Sequence, residues 1–93
     1  MAESGPKSRA AGATLDEQLA LVWSNLRAIL ASADMTVDNI VRLTSYLRDA
    51  SYAEANTTAR VAALGGRTIP TTAIVVQTLA ANRLVELEVI AAG

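Results

Sequence analysis

From Leu15 onward the apolar side chains recur at alternating spacings of three and four: Leu15, Leu19, Val22, Leu26, Ile29, Leu30 and Ala33. That period lays one continuous stripe along a helix. Thr14 and Glu17 form a Thr-x-x-Glu capping box at its start, and Trp23 flanks the stripe as a core-edge residue. A polar connection, Asp34 to Asn39, leads into Ile40 to Leu47 (IVRLTSYL), where the period changes to two. Val41, Leu43 and Leu47 fall on one face of the predicted strand, and Arg42, Thr44 and Tyr46 on the other. Ser51 and Glu54 read as a second capping box, opening a helix to about Leu64 with a small inner face of Tyr52, Ala55, Ala59 and Ala62. Gly65-Gly66 stops it. Pro70 introduces a third apolar segment, Ala73 to Thr78, and Ala80-Ala81-Asn82 turns the chain into a last strand, LVELEVIAAG. There Glu86 and Glu88 share one face, and Val85, Leu87 and Val89 share the other.

The predicted order is therefore arm, helix, strand, helix, strand, strand. The first strand-helix-strand unit predicts a parallel crossover and the last two strands an antiparallel hairpin. The fold class is α+β, a mixed sheet with two helices on one face. Its other face is bare and carries Arg42, Thr44, Tyr46, Glu86 and Glu88. A half-apolar sheet face of this kind calls for cover by another chain. Residues 1–13 (MAESGPKSRAAGA) have no apolar period and read as a flexible arm, and residues 14–93 as one domain.

Composition narrows the chemistry. The 93 residues contain no Cys and no His, which excludes zinc sites, disulfides, thiol nucleophiles and histidine acid/base catalysis. No metal and no cofactor is implied. The net charge of −1 offers no electrostatic case for nucleic acid or an anionic membrane, and no apolar run is long enough to span a bilayer. A cytoplasmic location is the expectation. With Trp23, Tyr46 and Tyr52 as the aromatic residues and no Phe, the core is thin, which favours an oligomer.

Three segments together carry a resemblance. Asn25-Leu-x-x-Ile-Leu30, Asp38-x-Ile-Val-x-Leu-Thr44 and Glu86-Leu-Glu-Val-Ile-Ala91, with Asn56 on the second helix between them, resemble the Rid family. These are the YjgF-like reactive-intermediate deaminases, often labelled endoribonuclease L-PSP, and the similarity runs from about Leu15 to Ala92. It implies a chorismate-mutase-like sheet, assembled as a homotrimer whose sheets face one another around a central barrel. The small-metabolite cleft would lie between subunits. Glu86 matches the family glutamate that positions the water hydrolysing an imine, and for Asn56 the alternatives are a plain surface helix residue or part of the cleft wall.

Two departures qualify that expectation. Family members begin with a β-hairpin carrying a Ser-Gly-Gln-like segment, which the first residues here do not resemble. They also carry Pro-Ala-Arg before the penultimate strand, an arginine that grips the substrate carboxylate through a bidentate pair. An ungapped match from the final strand places Thr71 at that arginine, whereas anchoring on Pro70 places Thr72 there. Hydroxyls and backbone N–H groups at Thr71 and Thr72 are the remaining candidates for substrate binding, with Arg67 as a possible replacement guanidinium or a plain loop residue. For Glu86 and Glu88 the alternatives are water positioning or pairing with Arg42. Three functions follow: an imine/enamine hydrolase with a non-standard substrate, a non-catalytic metabolite-binding protein, or an inactive truncated fragment. The ribonuclease that the family label names finds neither histidine nor basic groove.

Overall fold

A computed structural model describes residues 14–77 and 82–93. The elements run α1 (Leu15–Ser32), β1 (Ile40–Leu47), α2 (Ala53–Ala63), β2 (Thr71–Val75) and β3 (Val85–Ala91), with 3₁₀ turns at Val37–Asn39 and Ala50–Tyr52. The predicted arm, and the predicted turn at Ala80-Ala81, lie outside the described residues.

Helix α1 starts where the capping box puts it. Thr14 Oγ1 accepts from the Glu17 N–H at 3.1 Å, and Glu17 Oε1 accepts from the Thr14 N–H at 2.9 Å. Its inner face is turned toward Trp23 relative to the predicted stripe: Leu19, Trp23 and Leu30 are buried, while Ile29 is 66% exposed. The indole is the widest apolar group on the helix, so seating it in the core removes the most area from water. Ile29 is left on a flank that no described element covers.

Strand β1 differs from strict alternation at its start. Ile40 pairs with Ala91 and Arg42 with Ile90, so two steps on β1 oppose one on β3. This bulge turns Ile40 into the core and Val41 out of it, reversing the face expected for Val41. Beyond the bulge Leu43, Ser45 and Leu47 are buried against the helices. Arg42, Thr44 and Tyr46 take the other face, as predicted.

The start of α2 also departs from the reading. Asp49, not Ser51, is the capping side chain, its carboxylate accepting from the Ser51 N–H at 2.8 Å. A 3₁₀ turn follows before the α-helix proper, whose N-cap Tyr52 has no side-chain cap. Asp49 wins because its carboxylate lies two residues upstream, in reach of the first free N–H groups. The inner stripe is Asn56, Ala59 and Ala63, and Ala62 is exposed. Gly65 and Gly66 end the helix with φ of 63° and 83°, their N–H groups closing on Ala62 and Val61 carbonyls.

Sheet order is β2-β1-β3. β1 pairs parallel with β2 and antiparallel with β3, so the parallel crossover stands and the β2–β3 hairpin does not. β3 crosses to the far edge of β1, where Leu87 and Val89 pack against the Trp23–Leu30–Ile40–Leu43–Leu64 cluster beneath α1. Pairing beside β2 would have left those side chains away from α1. β2 itself begins directly after Pro70, earlier than the predicted Ala73, because the Leu43 N–H already bonds the Pro70 carbonyl at 3.1 Å. A second cluster, Leu19, Leu47 and Val85, closes the other end of the core.

Candidate functional site

The face of the sheet turned away from the helices is built by strand parity alone. Its registered rows are Thr72, Thr44 and Glu88, and then Ile74, Tyr46 and Glu86. Arg42 and Ile90 form a further pair at the bulge end. Ile74 and Ile90 are 40% and 58% exposed, so apolar groups border the polar centre.

The two glutamates differ in their partners. Tyr46 donates its phenol to Glu88 Oε1 at 2.9 Å, reaching diagonally past its registered neighbour. That bond, with some desolvation and the negative charge of Glu88, holds the Tyr46 pKa above its ordinary value. Glu86 has a looser contact, its Oε2 lying 3.9 Å from Arg83 Nη1, with both side chains well exposed. At that distance in water the pair contributes little. Arg42 pairs with neither carboxylate among the described residues; it stands opposite Ile90.

Of the two threonines, Thr72 shares the open face with Thr44 and Glu88, and Thr71 is registered with core-facing Leu43. Of the two matches, the one anchored on Pro70 is therefore the one that falls on the glutamate face. One strand, β1, separates Thr72 from the glutamates, roughly 10 Å across two strand spacings. Asn56 is not brought to this face. It is 2% exposed, on the α2 stripe with Ala59 and Ala63 that packs into the core, and its Oδ1 is buried without a hydrogen-bond partner among the described residues. Arg67 is engaged elsewhere: Nη2 donates to the Val37 and Ile40 carbonyls at 3.1 and 2.8 Å, tying the loop after α2 to the start of β1.

A groove of about 710 Å³ lies on the opposite side of the domain, between α1 and α2. It exists because Ala55, Ala59 and Ala62 are too short to fill the space between the helices. It is open to solvent and shares no residue with the glutamate face. Among the described residues no cluster of His, Cys, Asp and Glu could hold a metal ion, and no helix is long and apolar enough to cross a membrane.

Strand parity puts Tyr46 on the open face, but its bond to Glu88 is not legible in the sequence. Nor is the pairing of Gln18 with the Asn82 and Leu84 backbone, although a carboxamide between Leu15 and Leu19 on a mostly apolar helix face is a signal that it needs partners.

Comparison with known proteins agrees with this architecture. The sequence profile of the endoribonuclease L-PSP family matches residues 4–93. Among solved structures, a protein of Entamoeba histolytica assigned to the endoribonuclease L-PSP group is 30% identical with a TM-score of 0.81, over 87% of this chain and 65% of that one. RidA from an Antarctic Psychrobacter is 26% identical with a TM-score of 0.79, over 84% of this chain and 63% of that one. A Mycobacterium tuberculosis member of the YjgF/YER057c/UK114 family is 25% identical with a TM-score of 0.77, over 82% and 65%. The chain thus spans less than two thirds of the length of each of these three structures. Among proteins of curated function, none matches it in sequence.

Proposed function

Because the chain belongs to the endoribonuclease L-PSP family, the group that includes YjgF and RidA, we propose that its open sheet face hydrolyses a small imine or enamine. The observation that carries this reading is the unequal state of the two glutamates: among the described residues Glu88 is bonded by Tyr46, and Glu86 has only the long contact to Arg83. A carboxylate with a free oxygen on a face bordered by apolar side chains suits the orientation of one water molecule. On the protonated imine, Glu86 takes a proton from that water as its oxygen bonds to the carbon and the C=N electron pair moves to nitrogen, giving a neutral carbinolamine. Glu86 then returns that proton to the nitrogen, and as the C–N bond breaks ammonia leaves and the carbinolamine hydroxyl gives its own proton back to the Glu86 carboxylate, leaving the carbonyl compound.

The substrate is one without a carboxylate beside the imine. A threonine hydroxyl offers one neutral donor where guanidinium offers a charged fork, and Arg67 is held by backbone carbonyls. Thr72 and Thr44 supply neutral hydroxyls on the glutamate face, and Thr71 contributes backbone groups at its edge. The cleft is completed by further copies of the chain, a homotrimer with the Arg42, Thr44, Tyr46, Glu86 and Glu88 faces turned inward.

The test is ammonia release from imines generated in situ, one series neutral and one carboxylate-bearing, with light scattering on the same sample. Release from the neutral series that Glu86→Gln abolishes supports the reading. Saturable binding of a carbonyl compound without ammonia release replaces catalysis by metabolite binding. A monodisperse monomer at micromolar concentration removes the inter-subunit cleft.

A further inference from the structure

We infer that Gln18 is a positioning residue that sets where Glu86 sits on the open face; this rests on the imine-hydrolase reading above. Gln18 occupies the first turn of α1 and is only 9% exposed. A carboxamide on a buried helix face is costly unless its donor and acceptor are both matched. Here both are. Nε2 donates to the Asn82 carbonyl at 2.7 Å, and Oε1 accepts from the Leu84 N–H at 2.8 Å. The amide meets a carbonyl and an N–H two residues apart, as a neighbouring strand would.

The Leu84 backbone is thereby held from two directions. Its N–H is bonded by α1 through Gln18, and its carbonyl accepts from the Arg48 N–H at 3.0 Å, just past the end of β1. Glu86 follows two residues later, so a displacement of the Leu84 backbone passes directly into the Glu86 Cα. Apolar packing does a different job. Val85 is fully buried, and with Leu87 it decides which face Glu86 occupies, because a one-residue slip would reverse every side chain. Dispersion contacts are non-directional and tolerate a small slide along the strand. Two short, directional bonds to one amide do not. Placement at that tolerance matters to a water-orienting carboxylate, since a displacement of about 1 Å can cost on the order of 100-fold in rate.

The experiment compares Gln18→Met, which removes both bonds, with Gln18→Glu, which keeps an acceptor for Leu84 and loses the donor to Asn82. Both are measured well below their unfolding midpoints, with circular dichroism as the control for folding. Expected for Gln18→Met is a fall in kcat for ammonia release of about 10- to 100-fold with KM within about twofold, and Gln18→Glu between it and the parent chain. The Leu84 amide should exchange faster in both. The Tyr46 titration, which reports the position of β3 through Glu88, should move toward its ordinary value. If Gln18→Met does not fold, Gln18→Glu alone carries the comparison. Wild-type kcat alongside faster Leu84 exchange overturns the inference, as does a loss of rate that merely follows the folded fraction. If the parent chain releases no ammonia, the hydrolase reading fails. The positioning is then judged by Leu84 exchange and the Tyr46 titration, and an unchanged pair of readouts overturns it.

Discussion

Tyr46 stands opposite Glu86 in the β1–β3 register, yet its phenol bonds Glu88 Oε1 at 2.9 Å. The diagonal reach gives two chemically identical carboxylates different partners. It engages Glu88 and leaves Glu86 with a loose surface contact.

The first expectation concerns that bond. The Tyr46 pKa is raised, chiefly because its O–H is donated to Glu88. The folded chain therefore holds this proton at pH values where the unfolded chain has lost it. Any stabilisation from the bond is present below the ordinary tyrosine value of 10.0 and disappears as pH rises through the folded value. In a Tyr52→Phe background, ultraviolet titration should show Tyr46 ionising above 10.0, and Glu88→Ala, which removes the acceptor, should bring it down. An unmoved titration would show that the bond is not made in solution.

The glutamates should separate kinetically. Glu86→Gln removes the proton acceptor and should lower ammonia release by about 100-fold or more. Glu88→Gln keeps an oxygen for the Tyr46 phenol and should retain most of the rate. Equal losses in steady-state assays would transfer the role to the pair.

Arginine on β2 should act by parity. Thr72→Arg carries a guanidinium onto the glutamate face, and Thr71→Arg carries it to the other side of the strand. Only the first should extend activity to carboxylate-bearing imines, read as a fall in their KM. A gain from Thr71→Arg alone would contradict the β1–β2 register.

Stability should follow the rotated helix face. On α1, Leu30 is 4% exposed, so Leu30→Ala should cost about 2–5 kcal/mol. Ile29→Ala, at a residue 66% exposed, should stay within about 0.5 kcal/mol in the isolated chain. Urea unfolding measures both. A large cost at Ile29 would mean that something covers that flank in solution.

Capping of the 3₁₀ turn that leads into α2 should depend on Asp49. Hydrogen bonds from the Ser51 N–H and then from its hydroxyl lower the Asp49 pKa from its ordinary value of 3.8, so the folded state favours the charged form. Its contribution is present above that value and is lost as pH falls through the folded value. Asp49→Asn should flatten this part of the stability–pH curve, and Ser51→Ala, which keeps the N–H but loses the hydroxyl, should only reduce it. The opposite ranking would restore the Ser51 capping box.

Much of this was legible in local residue order. The Thr14–Glu17 box, the Gly65-Gly66 stop and the alternation of β3 each depend on neighbours within a few residues, and each appears as read. Glu86 and Glu88 on one face follow from the period of a strand. The same holds for the parallel β1–α2–β2 unit, whose connecting helix leaves little else possible.

What the sequence could not decide is where distant segments meet. By itself it determined two capped or stopped helices, three strands and a carboxylate face, because those come from periodicity and short-range hydrogen bonds. Only the tertiary structure decided that β3 leaves β2 and pairs with the far side of β1, since that choice depends on which apolar face lies beneath α1. It also decided that Trp23 rather than Ile29 fills the core, that a bulge turns Val41 outward, and that Asn56 is buried away from the glutamates. The Gln18 clasp on Leu84 belongs to the same class: it joins residues 66 apart in sequence. A side-chain amide becomes a positioning device only when packing brings a matching backbone donor and acceptor against it.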